Sequence, residues 1–134
     1  MSTPKQVIII RKDLNMRKGK MIAQGAHASM KVIFDMMRKE YGNFGITGKI
    51  LPIKEGSALD KWINGLFTKI VVGAESLDEM MSAYNEAKDK KIPCALIEDA
   101  GLTEFGGQKT ITACAIGPDY PENIDKITSK FTLL

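Results

Sequence analysis

Residues 6–31, QVIIIRKDLNMRKGKMIAQGAHASMK, contain the change of period that decides the fold. Gln6 to Arg11 is an unbroken β-branched run, the pattern of a central strand buried on both faces. From Gly19 the period becomes helical, and the pattern predicts one long helix over residues 19–41. On a helical wheel Lys20, Gln24, His27 and Lys31 recur at spacings of four, three and four, which makes a polar stripe. Ile22, Ala26, Met30, Ile33 and Met37 fall on the other side and read as the buried face. The helix opens on Arg17-Lys18-Gly19-Lys20, where cationic side chains meet unpaired backbone N–H groups, an arrangement suited to an anion. The stripe also carries His27, the one histidine of the chain.

Charge is concentrated in the same place. Residues 1–20 hold six cations against Asp13 alone, a net +5, which leaves −2 for the remainder of a chain whose formal charge is +3. A focused basic patch attracts polyanions and makes their binding depend on salt, although a solvated basic loop has the same composition. The 134 residues are most simply one domain with a real core, and 44% hydrophobic content argues against disorder. No run is long and apolar enough for a membrane span or a signal-peptide core. Cys94 and Cys114 lie in apolar, strand-like runs without zinc-ligand spacing, and read as reduced core cysteines of a cytoplasmic protein. A cysteine–histidine hydrolase built on either is disfavoured by those surroundings. Gly19-Lys20 is not a phosphate-binding P-loop, because Met21 replaces the required Ser or Thr and the upstream glycine is missing.

Strand and helix signals then alternate. Residues 42–56 carry four glycines, Pro52 and little periodicity, and read as an irregular excursion. Ser57 with Asp60 caps a short helix through Trp62, and residues 68–73 form a second strand. Ser76 with Glu79 is a capping box for a helix that buries Leu77, Met80, Met81, Tyr84 and Ala87. Residues 94–97 are a short third strand, 98–103 a polar turn, and 110–116 a fourth strand closed by Gly117-Pro118. Pro121 opens a last helix with Ile124 and Ile127, and an apolar tail follows over residues 131–134. This order implies an α/β fold with a parallel or mixed sheet and helices on both faces. Sites in such sheets form beyond the carboxyl ends of strands. Lys20 follows the first strand and Asp99 the third, so the two are placed to converge.

Three segments carry a resemblance. DLNMRKGKMIAQGAHA (residues 13–28), IPCALIEDAGLTEF (92–105) and TITACAIGP (110–118) resemble, in order, the signatures of the type-2 peptidyl-tRNA hydrolases of archaea and eukaryotes. The tail ENIDKITSKFTLL is similar to the family's ending, so the likeness spans the chain apart from residues 42–56. It implies a single three-layer α/β domain over residues 1–134, with a four-stranded mixed sheet between helices. The implied reaction is hydrolysis of the ester that joins a peptide to the 3′-terminal ribose of tRNA, which frees the tRNA for reuse. It implies no metal or organic cofactor, peptidyl-tRNA as the partner, and a homodimer. The family's functional lysine, aspartate and threonine fall on Lys20, Asp99 and Thr103. Gln24, His27 and the strand residue Thr112 match further polar positions and are expected to bind substrate, together with the cations Arg17, Lys18 and Lys31.

The residue types suit that chemistry. Ester hydrolysis needs a positioned water and donors for the oxyanion. Asp99 is suited to orient or deprotonate the water, Lys20 to neutralise the oxyanion, and Thr103 to fix either by a hydrogen bond. A plain structural ion pair between Lys20 and Asp99 is the competing reading. The chain departs from the family at Leu102, where a basic residue is usual, and at Glu104, where glutamine is usual. Gly106-Gly107-Gln108 matches the tripeptide of translation release factors, yet two glycines in a tight connection are expected for turn geometry alone. The alternative function is a non-catalytic tRNA- or RNA-binding module of the same fold.

Overall fold

A computed structural model describes residues 2–102 and 104–134. Strand β1 (Lys5–Arg11) and a 3-10 turn (Lys12–Leu14) lead into helix α1 (Lys18–Met36). A hairpin of β2 (Arg38–Gly42) and β3 (Gly45–Ile50) follows, then α2 (Ala58–Ile63), β4 (Lys69–Ala74) and α3 (Leu77–Asp89). The chain finishes with β5 (Cys94–Asp99), β6 (Thr110–Asp119), α4 (Pro121–Thr128) and β7 (Thr132–Leu133). The main sheet is mixed, with strand order β5-β6-β1-β4-β7. It pairs β1 with β4 in parallel and β6 antiparallel to both β1 and β5. The carboxyl ends of β1, β4 and β5 therefore share one edge.

The central strand owes its place to its composition. Val7 and Ile9 join Met80, Ala83, Ile124 and Ile127 under α3 and α4, while Ile8 and Ile10 join Ala28, Val32, Ala113 and Ala115 under α1. A strand flanked on both faces needs this continuous apolar run. Two buried polar links fasten α1 to the sheet. Ser29 Oγ donates to Gln6 Oε1 at 2.6 Å, and Gln6 Nε2 donates to the Gly117 carbonyl at 3.1 Å. At the other end Thr112 Oγ1 donates to Gln24 Oε1.

Four expectations change. The sheet has five strands instead of four, because the apolar tail adds β7 to the edge of β4 through Gly73–Thr132 and Val72–Leu133. The first helix stops at Met36, and residues 38–50, expected as helix end and irregular loop, form the β2–β3 hairpin. Arg38, Lys39 and Glu40 are good helix formers, so it is the glycines at 42, 45 and 48 that disfavour helix, and a two-residue turn at Asn43-Phe44 closes the hairpin. Both strands beside the candidate site run longer than expected, to Asp99 and to Asp119.

The fourth change concerns the orientation of α1. Its buried side is Gln24, Gly25, Ala28, Ser29 and Val32, whereas Ile22 and Met30 are more than half exposed. Small residues let the helix lie close on Ala95, Ala113 and Ala115, so packing distance, not side-chain hydrophobicity, selects the inner face. The displaced apolar residues line a groove of about 660 Å³ between α1 and β4, with Phe67, Val71 and Leu134 on its far wall.

Candidate active site

The helix supplies one half of the site. Arg17 is the N-cap of α1 without a capping side chain, and no acidic residue occupies the first turn. Lys20 and Gln24 stand one helical turn apart on the same face. Both reach the end of β5. Lys20 Nζ lies 2.7 Å from Asp99 Oδ1, and Gln24 Nε2 lies 3.4 Å from the same oxygen. The side chains of Lys20 and Asp99 are each only 13% exposed, so the pair is shielded without being sealed from solvent.

The sheet supplies the other half through two details of register. Along β5, Ala95 and Ile97 face α1, so alternation turns Asp99 toward α1 as well. The β5–β6 ladder pairs Ile97 with Ala113 but Glu98 with Ile111, which leaves Thr112 as the extra residue of a bulge. The bulge puts Thr112 on the α1 side beside Ala113, where its fully buried hydroxyl reaches Gln24. Gly101 completes the frame. Its N–H donates to Asp99 Oδ2 at 2.9 Å, its φ is +81°, and a Cβ there would lie 2.2 Å from the Gln108 carbonyl oxygen. Only glycine fits this position.

These contacts determine the charge of Asp99. The Lys20 hydrogen bond holds its carboxyl below the usual aspartate range, with help from the Gly101 N–H and from the charges of Lys20 and His27, and against the opposing effect of burial. Asp99 is thus a fixed carboxylate at neutral pH. The cysteines are unsuited to nucleophilic work, because burial raises both thiols, Cys114 far more than Cys94. Among the described residues no group of His, Cys, Asp and Glu could hold a metal ion.

Of the residues singled out in the sequence, Lys20, Gln24, Asp99 and Thr112 come together. His27 is exposed and close enough for its charge to act on Asp99. Arg17 is exposed at the helix start with Glu104 Oε1 3.8 Å from its Nε, and Lys18 faces the apolar groove. Lys31 is not in the cluster; it lies three turns down α1 and pairs with Asp35 at 3.2 Å. Thr103 lies outside the described residues. Much of the basic amino-terminal charge is also committed elsewhere: Arg11 binds Asp13 and the Ile111 carbonyl, Lys12 lies against Glu75, and Lys5 against Asp125. Sequence reasoning missed Phe105, whose ring centre lies 5.7 Å from Lys20 Nζ, and the backbone role of Gly101. A glycine two residues beyond Asp99, in Glu98-Asp99-Ala100-Gly101, was the available signal for the latter. Gly106 and Gly107, both at positive φ, serve the turn as expected.

Comparison with known proteins places this frame. The family described as peptidyl-tRNA hydrolase PTH2 matches residues 4–134. Proteins named peptidyl-tRNA hydrolase from Methanocaldococcus jannaschii and Methanothermobacter thermautotrophicus are each 40% identical over 130 residues, covering 97% of this chain and 99% of theirs. The protein of that name from Sulfolobus acidocaldarius is 37% identical with the same coverage. The chain belongs to the PTH2 family. A solved structure of a protein of unknown function from Agrobacterium tumefaciens strain C58 shares the fold, with a TM-score of 0.56 at 10% identity over 100% of this chain and 99% of that one.

Proposed function

We propose that this protein hydrolyses the ester between peptide and tRNA in peptidyl-tRNA at the Lys20–Asp99 pair. The observation that carries the reading is that pair itself: a cation and a carboxylate at 2.7 Å, shielded, at the start of α1 and the carboxyl edge of the sheet. Asp99 is held ionised by Lys20, so it is a weak base; its task is to orient the attacking water. Lys20 brings positive charge to the oxyanion that develops on the ester carbonyl. Gln24, fixed by Thr112, keeps Asp99 in place. The family resemblance adds Thr103 to the catalytic group and His27 to the surface that meets tRNA, and the basic character of Arg17, Lys18 and Lys31 adds these three to that surface. The non-catalytic RNA-binding reading is not favoured, since Lys20 and Asp99 are both retained and in contact.

The protein acts in this reading as a single domain in the cytoplasm, as a homodimer. No helix among the described residues is long and apolar enough to cross a membrane. The apolar groove along α1 supports self-association, because such a surface is rarely left open to water.

The test is release of peptide from N-acetyl-aminoacyl-tRNA by the purified protein, beside Lys20→Ala and Asp99→Ala. Release that falls by at least about a hundredfold in both folded variants supports the proposal. Tight, salt-sensitive tRNA binding by a wild-type protein that releases nothing overturns it.

A further inference from the structure

The β2–β3 hairpin forms a sheet of its own and contributes no buried residue to the core. Every residue of β2 is exposed, and β3 is exposed through Thr47. The hairpin shields no core, and its ladder is internal: Arg38 pairs with Ile50, Lys39 with Lys49, Glu40 with Gly48, and Tyr41 with Ile46. Alternation along β2, with Thr47 the extra residue of a bulge in β3, sorts these pairs by face. Arg38, Glu40 and Ile50 share one. The other carries Lys39 directly across from Lys49, with Tyr41 across from Ile46 beside them. Phe44 stands fully exposed at the tip.

That face breaks two rules of a stable solvent-exposed ribbon. Like charges directly opposite one another weaken an antiparallel pair. Two large aromatics at the end of an unburied hairpin gain nothing from solvent, since Tyr41 is 70% exposed. Violations of local preference of this kind mark places kept for a ligand. The ligand's chemistry follows from the side chains. The hairpin, residues 38–50, holds Arg38, Lys39 and Lys49 against Glu40 alone, a net +2, so the partner is anionic. Paired ammonium groups beside stacking rings fit a phosphate backbone with accessible bases or sugars, which is the chemistry of RNA.

The hairpin is also placed to reach the same RNA as the active site. It follows directly on α1, and about 24 Å of helix separates Lys20 from Met36. His27 and Lys31 lie exposed on that helix between the two, with Asp35 the acidic residue on the way, paired to Lys31. We propose that the β2–β3 hairpin is a second RNA-contact element, which grips the body of the tRNA through Lys39, Lys49, Tyr41 and Phe44 while its 3′ end occupies the Lys20–Asp99 site. The proposal rests on the hydrolase reading for the identity of the RNA, and its binding arm does not depend on turnover.

The experiment compares the wild type with Lys39→Ala/Lys49→Ala and with Tyr41→Ala/Phe44→Ala. Three quantities are measured: affinity for deacylated tRNA against salt, KM and kcat on N-acetyl-aminoacyl-tRNA, and the rate on an N-acetyl-aminoacyl ester of the trinucleotide CCA. The lysine variant should reduce the log–log salt slope of binding by roughly 1.4–1.8, the loss of two phosphate contacts. Either variant should raise KM on whole tRNA about tenfold with kcat unchanged, and leave the short ester untouched. An intact rate on the short ester also shows that the variants are folded. Unchanged tRNA affinity and salt slope in both variants overturn the proposal, including the case where the aromatic variant alters only self-association. A wild type that binds tRNA through the hairpin yet hydrolyses neither ester refutes the hydrolase reading and leaves the RNA contact standing.

Discussion

Asp99 receives hydrogen bonds from the Lys20 ammonium, the Gly101 N–H and, at 3.4 Å, the Gln24 amide, and the cation dominates its titration. A carboxyl whose folded-state pKa lies below its unfolded value stabilises the fold above the unfolded pKa, and this contribution is lost as pH falls through the folded one. Lys20→Met removes the main cause of the depression and leaves burial pushing the other way. The Asp99 carboxyl should therefore titrate at higher pH in that variant, as read by carbon NMR of the side chain. The wild type should also lose more stability than the variant over the acid range. An Asp99 titration indifferent to Lys20→Met contradicts the assignment. Thr112 tests the support of the site. Thr112→Val keeps the shape and removes the hydroxyl, leaving the Gln24 oxygen, on a side chain only 2% exposed, without its donor. The expected cost is about 1–3 kcal/mol in urea unfolding, with a lower kcat and an unchanged KM.

Elements differ in how clearly their sequence announces them. Ser76 accepts from the Glu79 N–H at 3.1 Å, while the Glu79 carboxylate accepts from the Glu75 N–H at 2.8 Å. Ser76→Ala should cost about 1 kcal/mol in denaturant unfolding, within a range of 0.5–2, without changing the m-value. Gly101→Ala belongs to the loop after β5 and should do more. The left-handed backbone and the collision with Gln108 should cost well over 1 kcal/mol and release Asp99, so that turnover falls as far as in Asp99→Ala. Strands β1, β4, β5 and β6 were legible because β-branched and small apolar residues have one use there. The site was legible from topology, since the loop after β1 and the end of β5 share an edge. The hairpin was not, because its alternation serves no buried face, and glycines at positions 42, 45 and 48 mimic a loop. Thr112 came from resemblance alone, because a bulge that turns one residue toward the helix leaves no periodic trace. The face of α1 was misjudged because large apolar residues were read as the buried side, whereas the sheet takes the small ones, Gly25, Ala28 and Ser29.

At the scale of the molecule, the two faces of the sheet are unequally clothed. Helices α3 and α4 cover one face over its central strands, whereas α1 packs on β5, β6 and β1 and leaves β4 beside an open apolar groove. A second copy suits this groove. In the proposed homodimer an isologous contact would set the Ile22 and Met30 ridge of each α1 against the partner's groove, burying one patch twice around a two-fold axis. The double variant Ile22→Glu/Met30→Glu should then sediment as a monomer where the wild type sediments as a dimer. Turnover should persist within a few-fold, because Lys20, Gln24, Asp99 and Thr112 all come from one chain. Salt separates this apolar association from RNA binding. Raising ionic strength should leave the dimer intact while it weakens tRNA binding steeply. A wild type that is monomeric at all concentrations, or a variant whose mass is unchanged, rules the groove out as the self-contact.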